Sequence, residues 1–92
     1  MTEMKITMLA RSLAGHDKGK VFAVLGEDGD YLLIADGKGR TAVKPKRKKR
    51  KHVQIITHLP GEAGAMTASA QQDADIRKLL KAYKQENDNR RS

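Results

Sequence analysis

The sequence predicts a mainly β domain, a small barrel of about five short strands followed by one C-terminal α-helix. Short aliphatic and β-branched runs alternate with Gly- and Asp-rich turns up to Thr57, the punctuation of an antiparallel meander. The composition then shifts to Gly, Ala, Thr and Ser between Gly61 and Ala70. Beyond that, Ile76, Leu79, Leu80 and Tyr83 recur at the i, i+3, i+4, i+7 spacing of a helix with one apolar stripe.

Taken in order, the first strand is expected over Leu9 to Ala14. It is broken by Ala14-Gly15-His16-Asp17-Lys18-Gly19, where two glycines supply backbone angles that other residues avoid. Val21 to Leu25 reads as the second strand, Gly26 to Asp30 as a turn, and Tyr31 to Ile34 as the third strand. Asp36-Gly37-Lys38-Gly39 is a further turn, leading into Arg40-Thr41-Ala42-Val43 as a short fourth strand. Pro45 cannot donate to a ladder and restricts Lys44, so that strand should stop there. Val53 to Thr57 is β-branched, partly alternating, and closes the set ahead of Pro60-Gly61. Near closure of five strands into a barrel would protect their edges. The domain is thus expected over 1–59, with a basic loop at 44–52, a linker at 60–70, a helix at 71–87 and a frayed tail at 88–92. Ser69 and Gln72 match a capping box, and Asp73 and Asp75 suit the positive end of the helix dipole. A lone helix of this length is marginal in water, so its stripe is expected to dock, on the barrel before any partner or second copy. The oligomeric state is not readable from these residues.

Composition sets the class. The chain has 92 residues, no Cys, no Trp, one Phe and two Tyr, with 38% apolar residues. A domain of this size without disulfides must rest on aliphatic packing alone, and it offers little room for a deep catalytic pocket. The longest apolar runs, such as Tyr31 to Ala35, fall far below the roughly 20 residues needed to span a bilayer. The N-terminus has no apolar segment with a small-residue cleavage site, and a cytoplasmic location with no membrane partner is expected.

Charge is the strongest functional signal. Lys44-Pro45-Lys46-Arg47-Lys48-Lys49-Arg50-Lys51 places seven of the nineteen Lys and Arg residues in eight positions, in a chain of net charge +8. No acid lies inside the run, so it is expected to stay solvated or to meet phosphates. Without interleaved aromatics it favours backbone contact over base stacking. Five such contacts to single-stranded phosphates would give a salt slope of about −3.5, at ~0.7 per phosphate.

Ser12 to Leu25 carries the most specific pattern: Gly15, the polar tip His16-Asp17-Lys18, then Gly19-Lys20 and the apolar strand Val21 to Leu25. It resembles the KOW motif of certain ribosomal proteins and NusG-type elongation factors. Tyr31 to Gly37 is similar to the strand and Asp-Gly turn of KOW-containing large-subunit ribosomal proteins of eukaryotic and archaeal type. The likeness covers about Ile6 to Leu59 and extends to small stand-alone bacterial KOW proteins. It implies an SH3-like barrel and an RNA-binding role, usually on ribosomal RNA.

The residues themselves fit that role. Gly15 and Gly19 allow close approach to a phosphate, and Lys18 and Lys20 add charge from the same turn. His16 is placed to donate to a phosphate or stack on an unpaired base. Asp17 is read as ordering the turn through its own backbone. The RNA-binding set is therefore Gly15, His16, Lys18, Lys20, Lys44, Lys46, Arg47, Lys48, Lys49, Arg50, Lys51 and His52. Other chemistry finds no support. His16, His52 and His58 are too scattered for a zinc site, Asp28, Asp30 and Asp36 have turn spacing and not calcium-loop spacing, and no nucleophile has a base beside it. No cofactor is implied and no enzymatic activity is expected. The rival reading is a protein-interaction module for a ribosomal protein or RNA polymerase, with the basic run as a solubility or address signal.

Overall fold

A computed structural model of the chain describes residues 6, 8–57, 70 and 72–89. Its strands are β1 (Leu9–Ser12), β2 (Val21–Asp28), β3 (Tyr31–Ala35), β4 (Lys46–Lys49) and β5 (Val53–Ile56), with a 3-10 turn over Arg50–His52 and one helix, α1 (Asp73–Asn89). All pairings are antiparallel, in the order β4-β3-β2-β1-β5. The outermost strands of that order are consecutive in the chain, joined only by the three residues of the 3-10 turn. In a flat sheet they would stand about 19 Å apart, four spacings of about 4.8 Å, whereas three 3-10 residues advance only about 6 Å. The sheet must therefore curl. The result is the expected mainly β class, a small barrel-like fold with a C-terminal helix.

Period-two alternation gives the curled sheet two buried faces. Ala10, Phe22, Val24, Leu32, Ile34 and Val53 fill the inside. On the other face Leu9, Ala23 and Ala35 meet Ile76, Leu79 and Ala82 of α1, together with Ile6 and Ala70. The register places Leu9 opposite Ala23 and Ala10 opposite Phe22, so neighbouring residues serve different cores. The helix docks on its own barrel. Its buried line is Ile76, Leu79 and Ala82, with Leu80 and Tyr83 half-buried beside it. The buried line is rotated slightly from the expected stripe, with Ala82 in the same buried cluster as Ala23 and Ala35.

The helix starts at Asp73 and not at 71. The amides of Asp75 and Ile76 donate to the Gln72 carbonyl, and the Gln72 amide donates to the Asp75 carboxylate at 3.1 Å. This is the reach-back half of a capping box, with Gln72 at the N-cap. The expected Ser69 lies outside the described residues, as does most of the 60–70 linker. The helix continues to Asn89, so 88 and 89 are not tail.

The fourth strand is the main correction. Arg40 to Val43 forms no strand, because its backbone groups are engaged elsewhere. The Asp36 carboxylate accepts from the amides of Lys38 and Arg40, the Arg40 carbonyl accepts from the amides of Asp36 and Gly37, and the Ala42 amide donates to Asp73 of α1 at 2.8 Å. Those groups cannot also form a ladder. The strand is supplied instead by Lys46–Lys49, inside the segment expected as a basic loop, with Lys46 opposite Ile34 and Lys48 opposite Leu32. Pro45 precedes it, which suits a residue unable to donate. Two smaller shifts accompany this. β1 ends at Ser12, and β2 runs past Leu25 to Asp28 through a bulge between Val24 and Gly26. The bulge adds the twist that curls the sheet.

Candidate nucleic-acid interface

Between β1 and β2 the chain closes on itself. The Ser12 amide donates to the Lys20 carbonyl at 2.9 Å, and the Gly19 amide returns a bond to the Ser12 carbonyl at 2.8 Å. Within the loop the Lys18 amide donates to Gly15 and the Lys20 amide to Asp17. Such a tight closure needs left-handed backbone at two points, and Gly15 and Gly19 provide it with φ of 85° and 90°. The buried Ser12 hydroxyl donates to the Ala14 carbonyl at 3.0 Å. His16, Lys18, Gly19 and Lys20 are left exposed at the tip.

Asp17 points back into the fold, and this is where β4 docks. Its Oδ2 lies 2.9 Å from Lys46 Nζ and its Oδ1 3.8 Å from Lys48 Nζ, while Lys48 Nζ also donates to the Ala14 carbonyl at 3.0 Å. Lys46 and Lys48 are inward residues of β4 whose stems lie along the barrel and whose ammoniums reach its rim. The Lys46 hydrogen bond holds the Asp17 carboxyl below the usual carboxylate range, helped by the bond to its own backbone amide and the two lysine charges and opposed by partial burial. A further bond, from the Leu13 amide to the His52 carbonyl at 2.8 Å, ties the 3-10 turn to the same loop. The β1–β2 loop is therefore joined to the basic run at Lys46, Lys48 and His52, whereas Lys49 and Arg50 lie beside the β2–β3 turn, opposite Tyr31 and bonded to Asp30. Asp17 does more than order its own turn, the role expected for it, since it holds β4 in place.

The other acids of the neighbourhood also find the run. Arg47 pairs with Asp28 at 3.1 Å and lies 4.6 Å over the Tyr31 ring; Arg50 pairs with Glu27, and its amide donates to the Asp30 carbonyl. Four of the seven cations, Lys46, Arg47, Lys48 and Arg50, thus have carboxylate partners. Lys44, Lys49 and Lys51 are exposed and have no ion pair among the described residues. The run is not uniform: two lysines stabilise the barrel, two arginines are held in exposed pairs of small energetic weight, and three lysines are open to a ligand. His52 and His16 are exposed as well.

Lys18 and Lys20 part from this group. They line a cleft between the loop and α1, where they face Arg11 of β1 and Arg77, Lys81 and Lys84 of the helix. Arg11 was not among the expected site residues. The helical set was legible as charges at i, i+4 and i+7 on one face, but nothing in the sequence turned that face towards the loop.

Among the described residues no cluster of His, Cys, Asp or Glu is suited to hold a metal ion, and no helix is long and apolar enough to cross a membrane. His58 lies outside the described residues. No family model matches the chain, and no curated protein is significantly similar to it.

Proposed function

We propose that the protein is a non-enzymatic RNA-binding protein that captures the phosphate backbone through the barrel end where the β1–β2 loop meets β4 and the 3-10 turn. The observation that carries this reading is the set Lys44, Lys49 and Lys51, exposed and without ion pairs among the described residues. The β1–β2 loop, whose glycines leave its backbone approachable, is joined to the same run at Lys46, Lys48 and His52. Three point charges with no aromatic among them bind phosphates without reading bases, so recognition is of shape and charge. The KOW-like pattern of Ser12 to Leu25 and Tyr31 to Gly37 supports ribosomal RNA as the ligand and a cytoplasmic, ribosome-associated protein. No alternative partner is favoured by a specific feature of this surface.

The test is titration of several unrelated single-stranded RNAs with the protein and with a Lys44→Gln, Lys49→Gln, Lys51→Gln variant over a range of salt. All affinities should fall together, and the salt slope should shrink by about 2, from three contacts at ~0.7 each. An unchanged slope would refute the assignment. Retention of a cellular protein partner after nuclease treatment, with no RNA bound, would replace it by the protein-interaction reading.

A further inference from the structure

A cleft of about 860 Å³ opens between the β1–β2 loop and α1, on the helix side of the loop. Its wall carries Arg11, Lys18, Lys20, Lys38, Arg77, Lys81 and Lys84. Asp36 is the one carboxylate lining it among the described residues, and that side chain already accepts the amides of Lys38 and Arg40. These cations come from β1, two loops and the helix, so folding assembles a concentration of charge that no stretch of the sequence shows. Cations gathered in a concave site repel one another, and a polyanion relieves that repulsion. The Arg11 Nε, sealed from solvent, has no hydrogen-bond acceptor among the described residues, a state that costs stability unless an acceptor is provided.

The lining is not wholly charged. Val21, Leu80 and Tyr83 contribute apolar surface and one ring. Inorganic polyphosphate has no use for such a surface, whereas a nucleotide has a phosphate for the cations and a base for the ring. A duplex keeps its bases stacked inside and cannot offer one to a cleft between helix and loop. We propose that this cleft is a second binding site, taking a short segment of single-stranded RNA with its phosphates on Lys18, Lys20, Lys81 and Lys84 and a base against Tyr83. The site rests on the reading of the protein as RNA-binding, but it lies apart from Lys44, Lys49 and Lys51. One strand could pass from one to the other over the loop, whose Asp17 faces β4 and whose Lys18 and Lys20 face the helix.

The experiment is an NMR titration of the full chain with a single-stranded tetraribonucleotide, a short RNA duplex and a linear polyphosphate of matched charge. Each is repeated on a Lys81→Gln, Lys84→Gln variant and on the Lys44→Gln, Lys49→Gln, Lys51→Gln variant. Lys81 and Lys84 are exposed, so the first variant keeps the fold, as its unchanged spectrum away from the cleft will show. The tetranucleotide is expected to shift the amides of 18–20 and 77–84, to bind roughly tenfold more weakly to the Lys81, Lys84 variant with those shifts lost, and to go on shifting 18–20 and 77–84 in the other variant, whose own loss is confined to the shifts of 44–52. Equal binding of polyphosphate would overturn the nucleotide assignment, and preference for duplex would overturn the single-strand one. Shifts confined to 44–52 would overturn the cleft while leaving the proposed RNA-binding function standing; RNA that shifts neither region removes both.

Discussion

Replacing Asp17 by Asn removes one negative charge and almost no volume from the contact between the β1–β2 loop and β4. Its side chain is 13% exposed and those of Lys48 and Lys46 are 11% and 29% exposed, so two ammoniums would lose their carboxylate at a partly closed rim. Breaking a fully buried pair costs about 3–5 kcal/mol, and screening at the rim reduces this to about 1–3 kcal/mol. A loss of about 2 kcal/mol corresponds to a fall in Tm of roughly 10 °C for a domain of this size. The pH dependence separates this cause from mere repacking. The Asp17 pKa is lowered in the fold, chiefly by the Lys46 hydrogen bond, so its contribution is complete above the unfolded carboxylate value near about 4 and is lost as pH falls through the lower folded value. Urea denaturation of Asp17→Asn and the parent chain should therefore show a gap at pH 7 that closes progressively below about pH 4. At pH 7 and low salt the variant, one unit more positive, should bind RNA no more weakly than the parent. A gap that persists undiminished in acid, or no gap at pH 7, would refute the account of how β4 is held.

Two further outcomes follow from the helix contact. At Gly37, with φ of +79°, an added Cβ would lie 2.5 Å from the Asp73 carbonyl oxygen and 2.9 Å from Arg77 Cγ, so Gly37→Ala should cost about 2–4 kcal/mol in chemical denaturation, from strain and from displacement of the first turn of α1. Leu79→Ala, at a fully buried position between helix and sheet, should cost about 2–5 kcal/mol and speed hydrogen exchange along α1 relative to the strands.

The parts of the fold legible in the sequence were those fixed by local chemistry. The Gly15 and Gly19 turn, the strands at Val21, Tyr31 and Val53, and the docked stripe of Ile76 and Leu79 all follow from spacing and backbone freedom. The fourth strand was not legible, because β4 is made of residues whose charge argues for solvation when read along the chain. Its neutralising partners are Asp17 and Asp28, which come beside it only after β1, β2 and β3 have paired. Arg40 to Val43 failed as a strand for a related reason, its amide at Ala42 being taken by Asp73 from 31 positions away. The candidate site divides in the same manner. That Lys18, Lys20 and the basic run carry positive charge was plain, but Asp17 turning inwards separates them onto two surfaces, and the second is completed by Arg11 and the helix.

The position of β4 at the end of the sheet order has a consequence for how molecules of this protein meet one another. β4 pairs with β3 on one side, and its other edge is unpaired among the described residues. Such an edge is a template on which a second copy could add a strand and begin an aggregate. Here the template reads Lys-Arg-Lys-Lys. A matching β4 from another copy would set cationic side chains opposite one another, of which Lys46, Arg47 and Lys48 have carboxylate partners and Lys49 has none among the described residues, and like charges directly opposite destabilise a pair. The cations of β4 thus also work against identical barrels joining edge to edge, and any polyanion that neutralised them would loosen that restraint.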